Sequence, residues 1–174
     1  IARIRAAQGE VDAALQLHQE RLGIFEALGD KRSRAVTLGD IARIRAAQGE
    51  VDAALQLQQE RLAANKALGD QDGIAAASWD LAQLEMSRQN FPAAFPLLAQ
   101  AYAIFQQTGR LDGISMVGTV LGQFLCAMGQ REEGLAILTR SRDGFVKLGQ
   151  APMAQQTQAL LDQLGNRPDL NKTA

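Results

Sequence analysis

The sequence predicts an all-α chain built from helix pairs that repeat every 40 residues. The segment IARIRAAQGEVDAALQL occurs at residues 1–17 and again, unchanged, at residues 41–57. Over the full period, residues 1–40 match residues 41–80 at 27 of 40 positions. Glycines recur at the same spacing, at positions 29, 69, 109 and 149. A fixed period of this length is typical of repeat arrays, so we expect helical units that stack along the chain.

Two glycine series divide each period into two helices. Gly29 and its equivalents each follow a helix-like segment, where a left-handed residue can close the last turn. The second series lies 20 residues earlier, and its missing member falls at Gln89. Because asparagine tolerates the left-handed region, we expect that turn to shift to Asn90. The predicted helices are 1–8, 10–28, 32–48, 50–68, 72–88, 91–108, 112–128, 130–148 and 152–164.

Aspartates and prolines mark the beginnings of several predicted helices. The aspartates that precede apolar-periodic runs, and that we expect as N-caps, are Asp30, Asp70 or Asp72, and Asp112. Pro92 and Pro152 suit a first turn, where the missing N–H is no loss. Pro96 falls one turn further in, so we expect a slight kink there. No segment alternates in the way that a strand would.

Small residues at two fixed positions predict close packing within each pair. The two small-residue sets are Ala2, Ala42, Ala82 and Gly122, and Ala14, Ala54, Ala94 and Gly134. Larger apolar residues surround them at Ile1, Ile41, Leu81 and Leu121; at Leu17, Leu57, Leu97 and Ile137; and, with one asparagine, at Phe25, Asn65, Phe105 and Phe145. We expect all of these positions to form the core.

Composition excludes several classes of function. The net charge is −1 with both signs interspersed, so no basic stripe is present for nucleic acid. The most apolar run, about residues 114–128, is too short and glycine-interrupted to span a bilayer. Cys126 is the single cysteine, which excludes an internal disulfide; we expect a buried, inert thiol. We therefore predict a soluble, cytoplasmic protein with neither nucleic-acid nor membrane partners.

No constellation of residues predicts catalysis, a metal site or a cofactor. Nucleotide-binding glycine motifs, HExxH and paired-cysteine spacings are absent from the sequence. His18 is the sole histidine, and Gln58 replaces it in the next repeat, so we expect a solvated side chain rather than a general base. The sequence predicts that this chain is not an enzyme.

The helix pairs with small residues at fixed places resemble the tetratricopeptide repeat (TPR). The usual repeat has 34 residues, and the 40-residue period here is similar to the longer repeats of kinesin light chain, Pins-type adaptors and bacterial Rap-type regulators. The segment HQERLGIFEALGDKRSRAVTLGDIA, residues 18–42, is especially close to the Pins-type pattern. The resemblance implies a right-handed superhelical α-α solenoid whose first helices line a concave face that binds a protein or peptide.

The repeat also sets the expected domain organisation. We predict a TPR-like array over residues 1–165 and a polar tail over residues 166–174. The array comprises a partial unit 1–31, full units 32–71, 72–111 and 112–151, and a capping helix 152–164. Ile1 falls inside a first helix, so we expect missing upstream repeats and self-association through that end. The chain would then be a fragment of a larger bacterial signalling or adaptor protein.

The inward positions of the resemblance give the candidate binding residues. They are spaced by threes and fours, so each set lies along one helix face. The candidate residues are Asp40 and Arg43 in the second unit; Trp79, Asp80, Gln83 and Met86 in the third; and Met116, Thr119, Val120 and Gln123 in the fourth. A peptide with an apolar segment and a nearby charge would suit this surface, as would another segment of the same full-length protein.

Two functional classes remain open at this point. The first is a protein- or peptide-binding scaffold, and the second is a structural spacer or self-assembly module without a ligand groove. A scaffold should vary its inward residues between units, whereas a spacer should repeat them. Arg3 and Arg43 match, but the third and fourth units diverge at their inward positions while keeping small core residues. This divergence favours the scaffold.

Overall fold

The computed structural model describes residues 11–166, and every regular element in that range is an α-helix. The helices are α1 (Val11–Leu28), α2 (Lys31–Ala47), α3 (Val51–Leu68), α4 (Gln71–Ser87), α5 (Phe91–Thr108), α6 (Leu111–Ala127), α7 (Arg131–Lys147) and α8 (Ala151–Gly165). Each boundary lies within one residue of its predicted position. The predicted helix 1–8 lies outside the described residues.

The chain divides into two compact units, Ile1–Ala94 and Phe95–Ala174. In the first, the N-terminal unit, α1, α2, α3 and α4 pack against one another consecutively. In the second, the C-terminal unit, α6 packs on α7 and α7 on α8. The boundary falls within α5, next to Pro96, which lies inside that helix as predicted. The division into 40-residue units stays a prediction, because the boundary between the two compact units does not coincide with a repeat boundary.

The turn at Gln89 departs from the sequence prediction. Gln89 itself adopts the left-handed conformation, with φ of 59°. Asn90 instead donates its backbone N–H to the Glu85 carbonyl over 2.9 Å and its side-chain amide to the Glu85 carboxylate over 2.8 Å. The predicted shift to Asn90 is therefore wrong. The repeat fixes where the helix must end, so the residue at that place accepts an unfavourable backbone angle.

Two of the predicted aspartate caps are confirmed. Asp30 accepts a hydrogen bond from the Ser33 backbone N–H over 3.0 Å, and Asp70 accepts the equivalent bond from Gly73 over 3.0 Å. The hydrogen bonds from Ser33 hold the pKa of the Asp30 carboxyl below its usual value. Each side chain thus satisfies one backbone donor that the first turn leaves open.

The predicted cap at Asp112 is wrong. α6 begins at Leu111, and its N-cap position is occupied by Arg110, whose side chain makes no capping bond. Asp112 lies within the first turn and pairs with Arg110 over 2.9 Å, which lowers the pKa of the Asp112 carboxyl. The repeat explains the difference, since position 110 is equivalent to Asp30 and Asp70 but holds arginine.

Small residues fill the predicted helix contacts in the N-terminal unit. Ala42 on α2, Ala54 on α3 and Ala82 on α4 are all almost completely buried. Ile41 and Ile44 pack with Leu15 of α1 in one apolar cluster. The predicted core positions in this unit are confirmed where the structure describes them, except that Leu17, Phe25 and Leu57 are only half-buried.

The C-terminal unit brings two helices into backbone contact. A Cβ atom built on Gly122 of α6 would lie 2.8 Å from the carbonyl oxygen of Gly134 on α7. A Cβ built on Gly134 would lie 2.6 Å from the Gly122 carbonyl oxygen. These glycines replace the alanines of the preceding units, so this pair can approach more closely than a pair with side chains at both positions.

The environment of His18 is also different from the prediction. The side chain is 0% exposed rather than solvated. Its repeat equivalents Gln58, Leu98 and Leu138 are equally buried, which shows that this position faces inward in each repeat. The sequence did contain a signal for this burial, namely Leu98 and Leu138 at the equivalent positions. An apolar residue at a fixed repeat position indicates that the position is buried.

Replacement of Ala54 by leucine should overpack the contact between helices. We expect Ala54→Leu to lower the free energy of unfolding by about 1–3 kcal/mol, because a fully buried methyl position has no room for an isobutyl group. Ala63→Leu is the matched control on the exposed side of α3 and should change stability by less than about 0.5 kcal/mol. Urea unfolding measures both. An unchanged Ala54→Leu midpoint would contradict the assigned packing.

A methyl group at Gly122 should separate α6 from α7. The added Cβ would lie 2.7 Å from Cγ of Leu138 and 2.8 Å from the Gly134 carbonyl oxygen. Because the backbone oxygen cannot move aside as a flexible side chain can, we expect Gly122→Ala to destabilise the fold by about 1–3 kcal/mol. Gly23→Ala on α1 has no atom within 4 Å of the added Cβ and should stabilise by about 0.5–1 kcal/mol. Thermal melts of the two variants should therefore shift in opposite directions.

Candidate partner-binding site

The N-terminal unit contains a pocket of about 340 Å³ bounded by α2, α3 and α4. Its lining residues are Ala42, Arg43 and Ala46 from α2; Val51 and Gln58 from α3; and Asp80, Gln83, Leu84 and Ser87 from α4. The four residues of α4 are spaced by three and four, so they form a single stripe along that helix. We call this the α2–α4 pocket.

One carboxylate oxygen collects the polar side chains at this pocket. Oδ2 of Asp80 accepts hydrogen bonds from Nη1 of Arg61 over 2.7 Å, Nη2 of Arg43 over 3.1 Å and Nε2 of Gln58 over 3.2 Å. Arg61 also donates to the side-chain oxygen of Gln58 over 3.2 Å. Side chains of α2 and α3 therefore converge on Asp80 of α4. Asp80 links α3, the second helix of one repeat, to α2 and α4, which are the first helices of that repeat and of the next one.

The members of this network differ strongly in their access to solvent. The side chains of Arg61 and Asp80 are 10% and 15% exposed, and Gln58 is buried. The Arg43 side chain is 57% exposed. Arg43 also lies 3.6 Å from the buried carboxylate of Asp40 on its own helix. Arg43 is thus a solvent-facing cation that is held from beneath by two carboxylates.

Gly39 provides the space that Arg61 occupies. A Cβ atom at Gly39 would lie 2.9 Å from Nη1 of Arg61 and 3.0 Å from Cζ. The guanidinium therefore packs directly against the backbone of α2. Because even alanine at this position would require Arg61 to move, the glycine is part of the geometry of the network.

Apolar groups form the walls above this polar base. Ala42, Ala46, Val51 and Leu84 contribute methyl and isobutyl groups to the lining. Ser87 donates its hydroxyl to the Leu84 carbonyl over 2.6 Å within its own helix. The pocket therefore combines an apolar wall with one anchored cation and a carboxylate, which is the usual composition of a binding site.

The structure brings three of the predicted residues together. Arg43, Asp80 and Gln83 line the α2–α4 pocket, and Asp40 lies beneath Arg43. Trp79 and Met86 are half-buried on α4 and do not line the pocket.

The other four predicted residues lie on α6 of the C-terminal unit. Met116 is 47% exposed and Val120 is half-buried. Thr119 donates to the Ser115 carbonyl over 2.9 Å, and Gln123 donates to the Thr119 carbonyl over 3.0 Å. These two polar side chains are therefore engaged with their own helix.

Sequence reasoning missed Gln58 and Arg61. Both lie on α3, a second helix of a pair, while the prediction considered only first helices. A signal was present, because the residues 40 positions later are Leu98 and Ala101. A polar pair at positions that are apolar in the next repeat indicates a buried network or a site.

The lone cysteine has the character of an unreactive thiol. Cys126 is half-buried, and its sulfur lies 3.8 Å from the Arg131 carbonyl oxygen. Burial raises the pKa of the thiol, and the charge of Arg131 opposes that effect only in part. The reactive thiolate is therefore disfavoured.

Residues 11–166 contain neither a candidate metal site nor a membrane-spanning helix. In that range, no three or more His, Cys, Asp or Glu side chains are grouped so that they could hold a metal ion. None of the helices described there has both the length and the hydropathy that crossing a bilayer requires.

Solved structures with the same arrangement of helices are TPR-like repeat proteins. BtubC (BKLC) from P. vanneervenii superposes with a TM-score of 0.67 at 19% identity, over 99% of this chain and 82% of that one. A Podosopora anserina putative kinesin light chain with nearly identical TPR-like repeats gives a TM-score of 0.59 at 20% identity, over 94% and 90% of the two chains. MamA gives 0.56 at 14% identity, over 95% and 94%.

These likenesses show the fold: the chain has the all-α fold of TPR-like repeat proteins. No protein-family model and no curated protein matches the sequence. The predicted resemblance to the longer TPR arrays is confirmed at the level of the fold, because a kinesin-light-chain-like protein is among the similar structures.

Removal of the Asp80 carboxylate should be costly for the fold. Asp80→Ala leaves Arg61 as a nearly buried charge beside Gln58, and we expect a loss of about 3 kcal/mol in the free energy of unfolding. Asp52→Ala is the control, because it breaks an exposed pair with Arg88 and should cost less than about 1 kcal/mol. Equal losses in chemical denaturation would show that the Asp80 network does not stabilise the unit.

Proposed function

We propose that this chain is a non-enzymatic scaffold of a signalling or adaptor protein, and that it binds a protein or peptide partner through the α2–α4 pocket. The observation that carries the proposal is the convergence of Arg43, Asp80 and Gln83 on one apolar-walled cavity. Helical-repeat arrays use the inward residues of successive units as extended binding surfaces. The TPR-like fold therefore supports a function in protein interaction.

The size of the pocket suits one large side chain of a partner. Its volume of about 340 Å³ lies at the low end of the range for ligand sites. An apolar side chain would contact Ala46, Val51 and Leu84, while the neighbouring part of the partner would reach Arg43 and Gln83. Arg43 uses one N–H group on Asp80 and directs another toward Asp40, so further donors remain for an acceptor on the partner.

The anchored guanidinium favours binding over a passive structural role. A spacer requires its inward surface only to be soluble, and a freely solvated arginine would serve that purpose. Here Arg43 is instead held in place by Asp80 and lies next to an open cavity. Holding a long side chain in place before binding reduces the conformational entropy that is lost when a partner binds.

The test is selection of ligands from a random-peptide display library on the intact chain. Selected peptides should bind Ala46→Phe, in which the new ring fills the pocket, at least about tenfold more weakly than wild type. The Arg43→Ala, Trp79→Ala double variant should also lose affinity, and the two single variants separate the contribution of Trp79. Fluorescence polarisation measures each dissociation constant.

The matched control is Ala67→Phe, which adds the same ring at an exposed position of α3 outside the pocket. It should bind the selected peptides as tightly as wild type. Equal affinity of wild type and Ala46→Phe would show that the selected peptides do not bind in the pocket. Failure to select any peptide would favour the spacer.

A further inference from the structure

We infer that Gln58, Arg61 and Gly39 are positioning residues, which fix the exposed Arg43 through the carboxylate of Asp80 and so set the specificity of the pocket. Gln58 and Arg61 lie on α3, and Arg61 and Gly39 do not line the pocket. We name Gln58, Arg61 and Asp80 the buried polar layer. The inference rests on the proposed function, because it assigns a role to residues behind the same pocket.

Arg61 contacts both other members of the buried polar layer. One nitrogen, Nη1, contacts both Oδ2 of Asp80, over 2.7 Å, and the Gln58 side-chain oxygen, over 3.2 Å. Gln58 in turn donates to the same Asp80 oxygen. The three side chains form a closed ring of hydrogen bonds, so Asp80 cannot rotate without breaking bonds to both partners. This ring determines where Arg43 finds its acceptor.

Arg61 also packs closely against the backbone of α2. Gly39 lies one residue before Asp40, and its missing Cβ leaves the space for the Arg61 guanidinium. Arg61 is therefore held on one side by backbone and on the other by hydrogen bonds. A side chain confined in this way presents a fixed positive charge to Asp80, which holds that carboxylate in one orientation.

The residues of the layer and the residue at the position of Arg43 change together from repeat to repeat. Where the layer is polar, as in Gln58, Arg61 and Asp80, the residue that it would support is arginine, Arg43. Moving the same positions by 40 residues gives an apolar layer and a glutamine: Leu98, Ala101 and Val120, with Gln83. In the first repeat, the equivalent sequence positions hold His18, Arg21 and Asp40, with Arg3 at the position of Arg43. In the fourth they hold Leu138, Ser141 and Leu160, of which only the small Ser141 is polar, with Gln123.

This pattern agrees with the energetic cost of a buried polar layer. Buried ion pairs contribute little net stability compared with apolar residues of similar size. Where the residue equivalent to Arg43 is uncharged, the equivalent layer positions hold uncharged residues that are apolar except for Ser141, so packing alone does not require the charges. Positioning of an exposed arginine accounts for their presence beneath Arg43.

The experiment compares Gly39→Ala with Gly73→Ala in the full chain. In both variants the new methyl group would meet a side chain of α3 at under 3 Å: Arg61 beside Gly39, and Asn65 beside Gly73. Only Gly39 is connected to Arg43, so the two variants match in kind of perturbation and differ in the proposed role. Arg61→Ala is the third variant.

Two readouts separate positioning from simple stability. The ¹⁵N-detected NMR signal of the Arg43 guanidinium reports its mobility without any ligand. We expect it to become mobile in Gly39→Ala and Arg61→Ala and to stay ordered in Gly73→Ala. Affinity for a display-selected peptide should fall about tenfold in the first two variants and remain unchanged in the third.

An Arg43 signal that is equally ordered in Gly39→Ala and wild type would overturn the inference, whatever the peptide affinities are. If Arg61→Ala does not fold, the Gly39→Ala and Gly73→Ala pair still decides the question. If no peptide binds to wild type, the proposed function fails, while the NMR signal still shows whether the layer positions Arg43.

Discussion

The close approach of neighbouring helices is the constraint on which this structure depends. Small residues occupy the same two places in every described repeat, and at Gly122 and Gly134 the backbones of α6 and α7 lie so close that an added Cβ would meet the facing carbonyl oxygen. Short distances between helices leave little room for error, since protein interiors do not tolerate an added methyl group easily. The larger apolar residues then fill the space around these contacts.

This constraint also explains where polar residues can lie. A second helix in each pair is covered on its inward face, so a charged side chain there needs partners nearby. Arg61 has them in Asp80 and Gln58, and the missing side chain of Gly39 gives it space. The network therefore occupies a place that the helix packing would otherwise fill with leucine and alanine. Gln58 and Asp80 of this network also line the pocket, so the packing of α3 affects the properties of the exposed surface.

The two compact units differ in what they place on their surfaces. The N-terminal unit has a pocket with an ion-pair network, whereas α6 in the C-terminal unit exposes Met116 and turns Thr119 and Gln123 back to its own carbonyl groups. After the first two repeats, which match at 27 of 40 positions, the residues at the predicted inward positions therefore differ while the small core residues are kept. This is the pattern that is expected when packing is retained and surface chemistry is free to change.

The sequence by itself determined where the described helices lie, to within one residue, and most of the core. Period, glycine spacing and small residues are local signals, so they placed every described helix to within a residue and buried Ala54 as predicted. Tertiary structure decided the rest. It buried His18 and joined Arg61 of α3 to Asp80 of α4, because these outcomes depend on which neighbouring element covers a residue. A pattern along one chain shows which face is apolar, but only packed helices show which side chains share a carboxylate.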